Sequence, residues 1–286
     1  MPLVTSYAVL DKAKRMKYAV GAFNANNMES VKAVIEACEE LKAPVILQIS
    51  QGAISYAGMG FAVGMVRAAA EEATVPVVLH LDHGTSFEQN AQCLHAGFTS
   101  LMYDGSKESY EVNAATTKRV VEMAHACNIG VEAELGRIPK IEDGFSAEEI
   151  QKMFTDPDLA AKFVEETGCD SLAVAAGAVH GMTERGAGLD FERVAAVARK
   201  TNIPLVQHGS SGVKMEDLAE AAKHGICKVN VATRVSMALL AGISAALAKK
   251  PDEKDFRKVF TPGMEEIHKC VKEYVECFGC AGMGRD

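Results

Sequence analysis

Along the chain, short runs of apolar and often β-branched residues alternate with longer segments whose apolar positions recur every three or four residues. Eight short runs predict strands: "YAVGAFN" at 18–24, "APVILQIS" at 43–50, "VPVVLHLDH" at 75–83, "TSLMYDGS" at 99–106, "IGVEAELG" at 129–136, "CDSLAVAAG" at 169–177, "IPLVQHG" at 203–209 and "CKVNVAT" at 227–233. Segments such as "MESVKAVIEACEELK" and "YEVNAATTKRVVEMAHACN" predict helices between them. Strands apolar along most of their length belong to a parallel sheet covered by helices on its faces. Eight such units in 286 residues predict an α/β fold of the (β/α)8 barrel type, with a doubly wound sheet as the competing arrangement. The barrel is preferred because no GxGxxG follows the first strand, and because polar residues stand at the carboxyl ends of many strands. After strand 8, "RVSMALLAGISAALAKK" and "MEEIHKCVKEYVEC" predict C-terminal helices from about residue 234 onward, within a single domain spanning 1–286.

Composition narrows the classes of function. With 48% hydrophobic residues the chain can bury a large core, and a net charge of −8 without charge blocks argues against a nucleic-acid surface. The first residues lack the charged-then-apolar order of a signal peptide, and no run of about 18 apolar residues occurs, so the expectation is a cytoplasmic protein without membrane contact. The eight cysteines sit mostly in apolar segments, as buried reduced thiols do. Cys277 and Cys280 form a lone CxxC with Cys270 and His268 upstream, a weak signal for a metal or redox site in the tail.

The strand ends carry the chemistry. Asp82 and His83 close strand 3, His180 follows strand 6 and His208 closes strand 7. A single strand-end histidine is more often a hydrogen-bonded polar residue than a ligand. Three on one rim, each next to a glycine, point to a zinc site, because neutral imidazole suits Zn²⁺ and three protein ligands leave a position open for substrate. His80 shares strand parity with Asp82 and is expected deeper on the same face, whereas His95, His125, His224 and His268 fall in helical segments. Acid/base candidates are Asp82, Glu134 at the end of strand 5, and Glu142 in the loop that follows; Glu132 has the parity of Glu134 and suits a core ion pair. The loops "HGSSG" (208–212, with Gly209, Ser210 and Ser211) and "NVAT" (Asn230, Val231, Ala232, Thr233) follow strands 7 and 8, where backbone amides and hydroxyls form a phosphate cradle. Lys228 raises a rival, Schiff-base chemistry, but it lies mid-strand, where an ion-paired lysine is the simpler reading.

With "LHLDHG", "VEAELG", "AVHG", "HGSSG" and "KVNVAT" in this order, the sequence resembles the class II, metal-dependent ketose-bisphosphate aldolases over its whole length. The resemblance implies a zinc-dependent aldol cleavage of fructose 1,6-bisphosphate, with tagatose 1,6-bisphosphate or another phosphorylated ketose as the alternative substrate. It implies His83, His180 and His208 as zinc ligands, Asp82 as the group exchanging a proton with the C4 oxygen, and Glu142 as the group exchanging the C3 proton. Asp104 and Glu134 match an alternative or second metal position. Gly181, Gly209, Ser211, Asn230 and Thr233 match contacts to dihydroxyacetone phosphate, with Asn24 and Ser50 further out. A monovalent cation beside the phosphate and a homodimer or homotetramer are also implied. The chain departs from the family pattern in "HGMTERGAGLDF", which lacks an aromatic–lysine pair, and in "GRIPKIEDG", which lacks a diglycine; Arg185 is a candidate replacement for the missing lysine.

Overall fold

The computed structural model describes residues 3–284. Its eight strands are β1 (Val20–Asn24), β2 (Val45–Ser50), β3 (Val77–Asp82), β4 (Ser100–Tyr103), β5 (Gly130–Leu135), β6 (Ser171–Val174), β7 (Leu205–Gln207) and β8 (Ile226–Val231). They pair in sequence order, all parallel, and β8 closes on β1. The barrel reading therefore holds and the doubly wound sheet is set aside. Each strand is shorter than the apolar run that predicted it, because the run continues into an adjoining turn at one end or both.

Local chemistry sets where helices begin. Ser86 accepts a hydrogen bond from the Gln89 amide at the start of helix Phe87–Ala96, and Asn27 and Ser30 form a reciprocal capping box at helix Met28–Glu40. The outward faces of the strands and the inward faces of the helices make one continuous apolar core that includes Phe23, Leu79, Leu101, Phe163 and Val231. The barrel interior is different. Gln48, His80, Ser100, Glu132 and Lys228 are all at most 3% exposed and form a polar layer at its centre.

Two further helices, Thr233–Lys249 and Phe256–Cys277, follow β8. They pack on each other, and the second lies against helix Met28–Glu40. It begins eight residues before the predicted segment and runs through Pro262. Proline there forgoes one intrahelical bond, to the carbonyl of Lys258, and the helix continues past it.

Candidate active site

At the carboxyl ends of the strands a cavity of about 500 Å³ opens. Its depth is set by β3. His80 and Asp82 point inward, and His83 then takes a left-handed conformation (φ 53°) that turns its ring over the barrel mouth. Such a conformation costs a non-glycine residue on the order of 1 kcal/mol or more and persists where the surroundings enforce it. Gly84 supplies part of that enforcement: a Cβ there would stand 2.5 Å from the Met102 carbonyl oxygen, so only glycine lets the chain lie against the end of β4. The Asp104 amide then donates to the Gly84 carbonyl (2.8 Å), and the Asp104 carboxylate meets His83 Nδ1 at 2.7 Å.

His83, His180 and His208 converge with their ligand nitrogens within 4.8 Å of one another. His83 Nε2 lies 3.0 Å from His208 Nδ1. Burial lowers the basicity of all three, but at His83 the charge of Asp82 and the hydrogen bond to Asp104 outweigh it and raise the pKa to about 10. Burial and the positive His83 press His180 down to about 4 and His208 well below its ordinary value. Of the three rings, His83 is thus the one whose surroundings favour a positive charge.

Two carboxylates stand beside this cluster. Burial pushes Asp104 up, but the hydrogen bond and charge of His83, with bonds from Ser106, hold it far below the usual carboxylate range. Burial, reinforced by the charge of Asp104, raises Glu134 to about 8. Glu134 Oε2 is buried without a hydrogen-bond partner, and His83, Asp104 and Glu134 form a second group of ligand atoms close enough to share an ion.

These residues fit a divalent metal. Two imidazole nitrogens bound to one tetrahedral zinc lie about 3.3 Å apart, close to the 3.0 Å seen for His83 and His208. The nitrogens turned away from the cluster are already occupied, His83 Nδ1 by Asp104 and His208 Nε2 by Glu132 at 2.8 Å. That is the carboxylate–imidazole arrangement that orients metal ligands. Among the described residues no other group of three ligand-type side chains is close enough, so the Cys277–Cys280 tail reading is not supported. Cys277 Sγ instead bonds the Met215 carbonyl, and the buried Cys280 thiol is pushed up to about 12.

Asp82 is 6% exposed. Asn24 Nδ2 donates to its Oδ2 at 2.8 Å, Asn230 Nδ2 stands 3.4 Å from its Oδ1, and Gln48 Nε2 holds Asn24 through its amide oxygen at 2.7 Å. Three strands thus clamp one carboxylate beside the imidazoles, and the Gln48 member of the clamp was not foreseen. Its only sequence signal is one amide inside the apolar run "VILQIS".

Gly181, Gly209, Ser210, Ser211, Asn230, Ala232, Thr233, Asn24 and Ser50 all line the cavity. Thr233 opens a helix of 17 residues whose N-cap, Ala232, offers no side-chain hydrogen bond, so its first amides and positive dipole end are free for an anion. Gly209 has φ 65°, and a Cβ on it would come within 3.0 Å of the Val179 backbone. The Ser210 hydroxyl is turned away, donating to the Asn230 carbonyl. Ser50 caps helix Gln51–Ala57.

Two placements differ from expectation. Val231 does not line the cavity: it belongs to the apolar core outside the barrel wall, because it alternates with Lys228 and Asn230, which face inward. Arg185 does not line it either; its guanidinium lies over the Tyr274 ring (5.7 Å), on the C-terminal helix. Lys228, by contrast, is the ion-paired lysine the sequence led us to expect: it is buried and paired with Glu132 at 2.7 Å. Glu142 lies at the rim, in a short turn, with its side chain 73% exposed and Lys140 3.5 Å away. That turn is tied to a ligand loop by the Ile141 amide donating to the His180 carbonyl and the His180 amide donating to the Pro139 carbonyl.

A closed eight-stranded barrel with a histidine cluster, a clamped carboxylate and an uncapped helix start at one mouth has the layout of a barrel enzyme. The family profile "Fructose-bisphosphate aldolase class-II" matches residues 4–283. The chain belongs to that family, and it is a carbon–carbon lyase. It is 43% identical to a fructose-bisphosphate aldolase of Thermus caldophilus over 98% of this chain and 99% of that one. It is 44% identical to a probable fructose-bisphosphate aldolase of Bacillus subtilis, covering 98% of each. Among solved structures, the YdjI aldolase of Escherichia coli K12 superposes with a TM-score of 0.86 at 34% identity, covering 99% of this chain and all of that one.

Proposed function

We propose that the chain reversibly cleaves fructose 1,6-bisphosphate into dihydroxyacetone phosphate and glyceraldehyde 3-phosphate, with zinc as its metal. The observation that carries this reading is a carboxylate, Asp82, held by two amides beside three convergent imidazoles rather than consumed as a ligand. The relatives named fructose-bisphosphate aldolase support the choice of sugar. The donor set supports zinc, since three neutral imidazoles suit Zn²⁺ and leave a position open. Bound by His83, His180 and His208, zinc would supply Lewis-acid stabilisation of the negative charge that develops on the ketone oxygen.

The chain's own groups do the rest. The uncapped start of helix Thr233–Lys249, with Gly209, Ser211 and Gly181, receives the phosphate on C1. Asp82 takes the proton of the C4 hydroxyl as the C3–C4 bond breaks, and the aldehyde leaves. The electron pair of that bond passes to C3 and the C2 oxygen, and Glu142, at the rim, delivers a proton to C3. In the condensation direction each proton moves back. Asn24 and Asn230 keep Asp82 aimed at the C4 oxygen throughout. The orphaned Glu134 Oε2 supports a second or alternative divalent position at Asp104 and Glu134. Exposed Met237, Leu240 and Leu247 on one C-terminal helix support self-association as a homodimer or homotetramer, and eight free cysteines support a reducing, cytoplasmic setting.

The test is dihydroxyacetone phosphate release from fructose and tagatose 1,6-bisphosphates in parallel, before and after chelation and with zinc restored. Chelator-sensitive cleavage recovered by zinc, with the higher kcat/KM on the fructose compound, is expected. A preference for the tagatose compound changes the sugar, and no cleavage of either by zinc-loaded protein overturns the reading.

A further inference from the structure

Beneath the proposed metal site lies a buried ion pair that the cleavage chemistry does not use. Lys228 Nζ is 2.7 Å from Glu132 Oε2, and the other oxygen, Oε1, is 2.8 Å from His208 Nε2. Both side chains are at most 2% exposed. Burying two charges in a barrel interior is unfavourable unless geometry and further hydrogen bonds compensate, and an all-apolar filling of the same volume is often at least as stable. The pair therefore calls for an explanation other than stability.

Donor and acceptor identities supply one. An ammonium donates only, so whatever it meets must accept. Lys228 also lies 3.4 Å from His80 Nε2, which makes that nitrogen an acceptor and leaves His80 Nδ1–H to donate to Ser100 Oγ at 2.8 Å. With Lys228 donating to it, Glu132 is held as an acceptor, and its second oxygen takes the proton of His208 Nε2. One neutral imidazole has one N–H, so Nδ1 of His208 is left with its lone pair directed at the site. Along the chain from Ser100 to His208, Lys228 donates to both of its neighbours and Glu132 accepts from both of its own, so reversing any one bond would set two donors or two acceptors against each other.

We propose that Lys228 and Glu132 are positioning residues that select the nitrogen with which His208 meets the metal, Nδ1, and fix the plane of its ring. The inference rests on the zinc reading above and concerns residues that touch neither substrate nor metal. Without the pair, nothing on the barrel side holds the Nε2–H of His208, and its ring is free to turn or change tautomer and so present a proton where the ligand lone pair belongs. His83 keeps its own orienting carboxylate, Asp104, so the effect is confined to one of three ligands.

The test compares wild type with the double variant Lys228→Met/Glu132→Leu, which leaves neither charge uncompensated in the barrel. Zinc affinity is measured by competition with a chromophoric chelator, without substrate, so the outcome does not depend on which sugar is cleaved. The His208 tautomer is followed through long-range proton–nitrogen couplings of the ring. The expected result is a metal affinity roughly 10- to 100-fold weaker, the usual effect of losing a group that orients a metal ligand. The metal-free melting temperature should not fall, and His208 should become a tautomer mixture. Unchanged zinc affinity with an unchanged Nε2–H tautomer overturns the proposal, as does a lowered metal-free melting temperature with full zinc affinity, which is the signature of a purely structural pair. Should the double variant not fold, Glu132→Gln, which retains the volume, is measured in the same way with the same criteria. A wild type that binds no zinc would instead overturn the proposed activity.

Discussion

Nε2 of His83 lies 3.0 Å from Nδ1 of His208, and the carboxylates of Asp82 and Asp104 favour a proton on the His83 ring. A metal ion must displace that proton, which makes metal uptake a proton-releasing reaction.

The sign follows. Burial works against the charge on His83, but the neighbouring carboxylates raise its pKa to about 10, so below that pH the metal-free ring is charged and competes with the ion. Zinc affinity should rise about tenfold per pH unit between pH 7 and 9, for one proton displaced. Titration calorimetry in buffers of different ionisation enthalpy should show close to one proton released per zinc. No buffer dependence would contradict the charged state of His83.

Asp82 is held by Asn24 and Asn230 and is not needed as a ligand. Asp82→Ala should therefore lower kcat about 10²- to 10⁴-fold, the range for loss of a positioned acid/base group, with zinc affinity nearly unchanged. Steady-state kinetics and chelator competition on the same preparation separate the two.

Asn24→Ala removes one charge-assisted hydrogen bond to Asp82 and the partner of Gln48. Bonds of this kind contribute about 1.5–3 kcal/mol, so kcat should fall roughly 10- to 100-fold, with a smaller change in KM. A rise in KM alone would show that Asn24 binds substrate rather than orienting Asp82.

Glu142 is exposed at the rim and carries no buried contact. Glu142→Ala should leave the melting temperature within about 2 °C of wild type, as a surface substitution does. It should abolish exchange of the C3 proton of dihydroxyacetone phosphate with solvent, read by loss of isotope label. Normal exchange in the variant would assign that proton to another group.

Gly84→Ala would drive a Cβ to 2.5 Å from the Met102 carbonyl oxygen, a contact that backbone cannot relieve cheaply. A destabilisation of about 1–3 kcal/mol, with weakened zinc binding through the displaced His83 and Asp104, is expected from thermal unfolding and metal titration.

Much of this was legible beforehand because it depends on local, periodic or strand-end information. Eight apolar runs separated by helical segments determine a closed parallel barrel, since strands buried on both faces need a helix over each connection. A motif at the end of such a run arrives at the barrel mouth whatever the details of packing, which is why His83, His180, His208 and Asp82 could be grouped from spacing alone. Their partners could not. Glu132 and Lys228 are 96 positions apart and Asn24 and Asp82 are 58 apart; such pairs meet only when the barrel closes and its register sets the strands side by side. Register also divides neighbours that the sequence treats alike: Asn230 faces the cavity and Val231 the core, because side chains alternate across a strand. Arg185 shows the same limit in a loop, where no periodicity restricts direction and the aromatic face of Tyr274, 89 positions away, takes the guanidinium from the cavity.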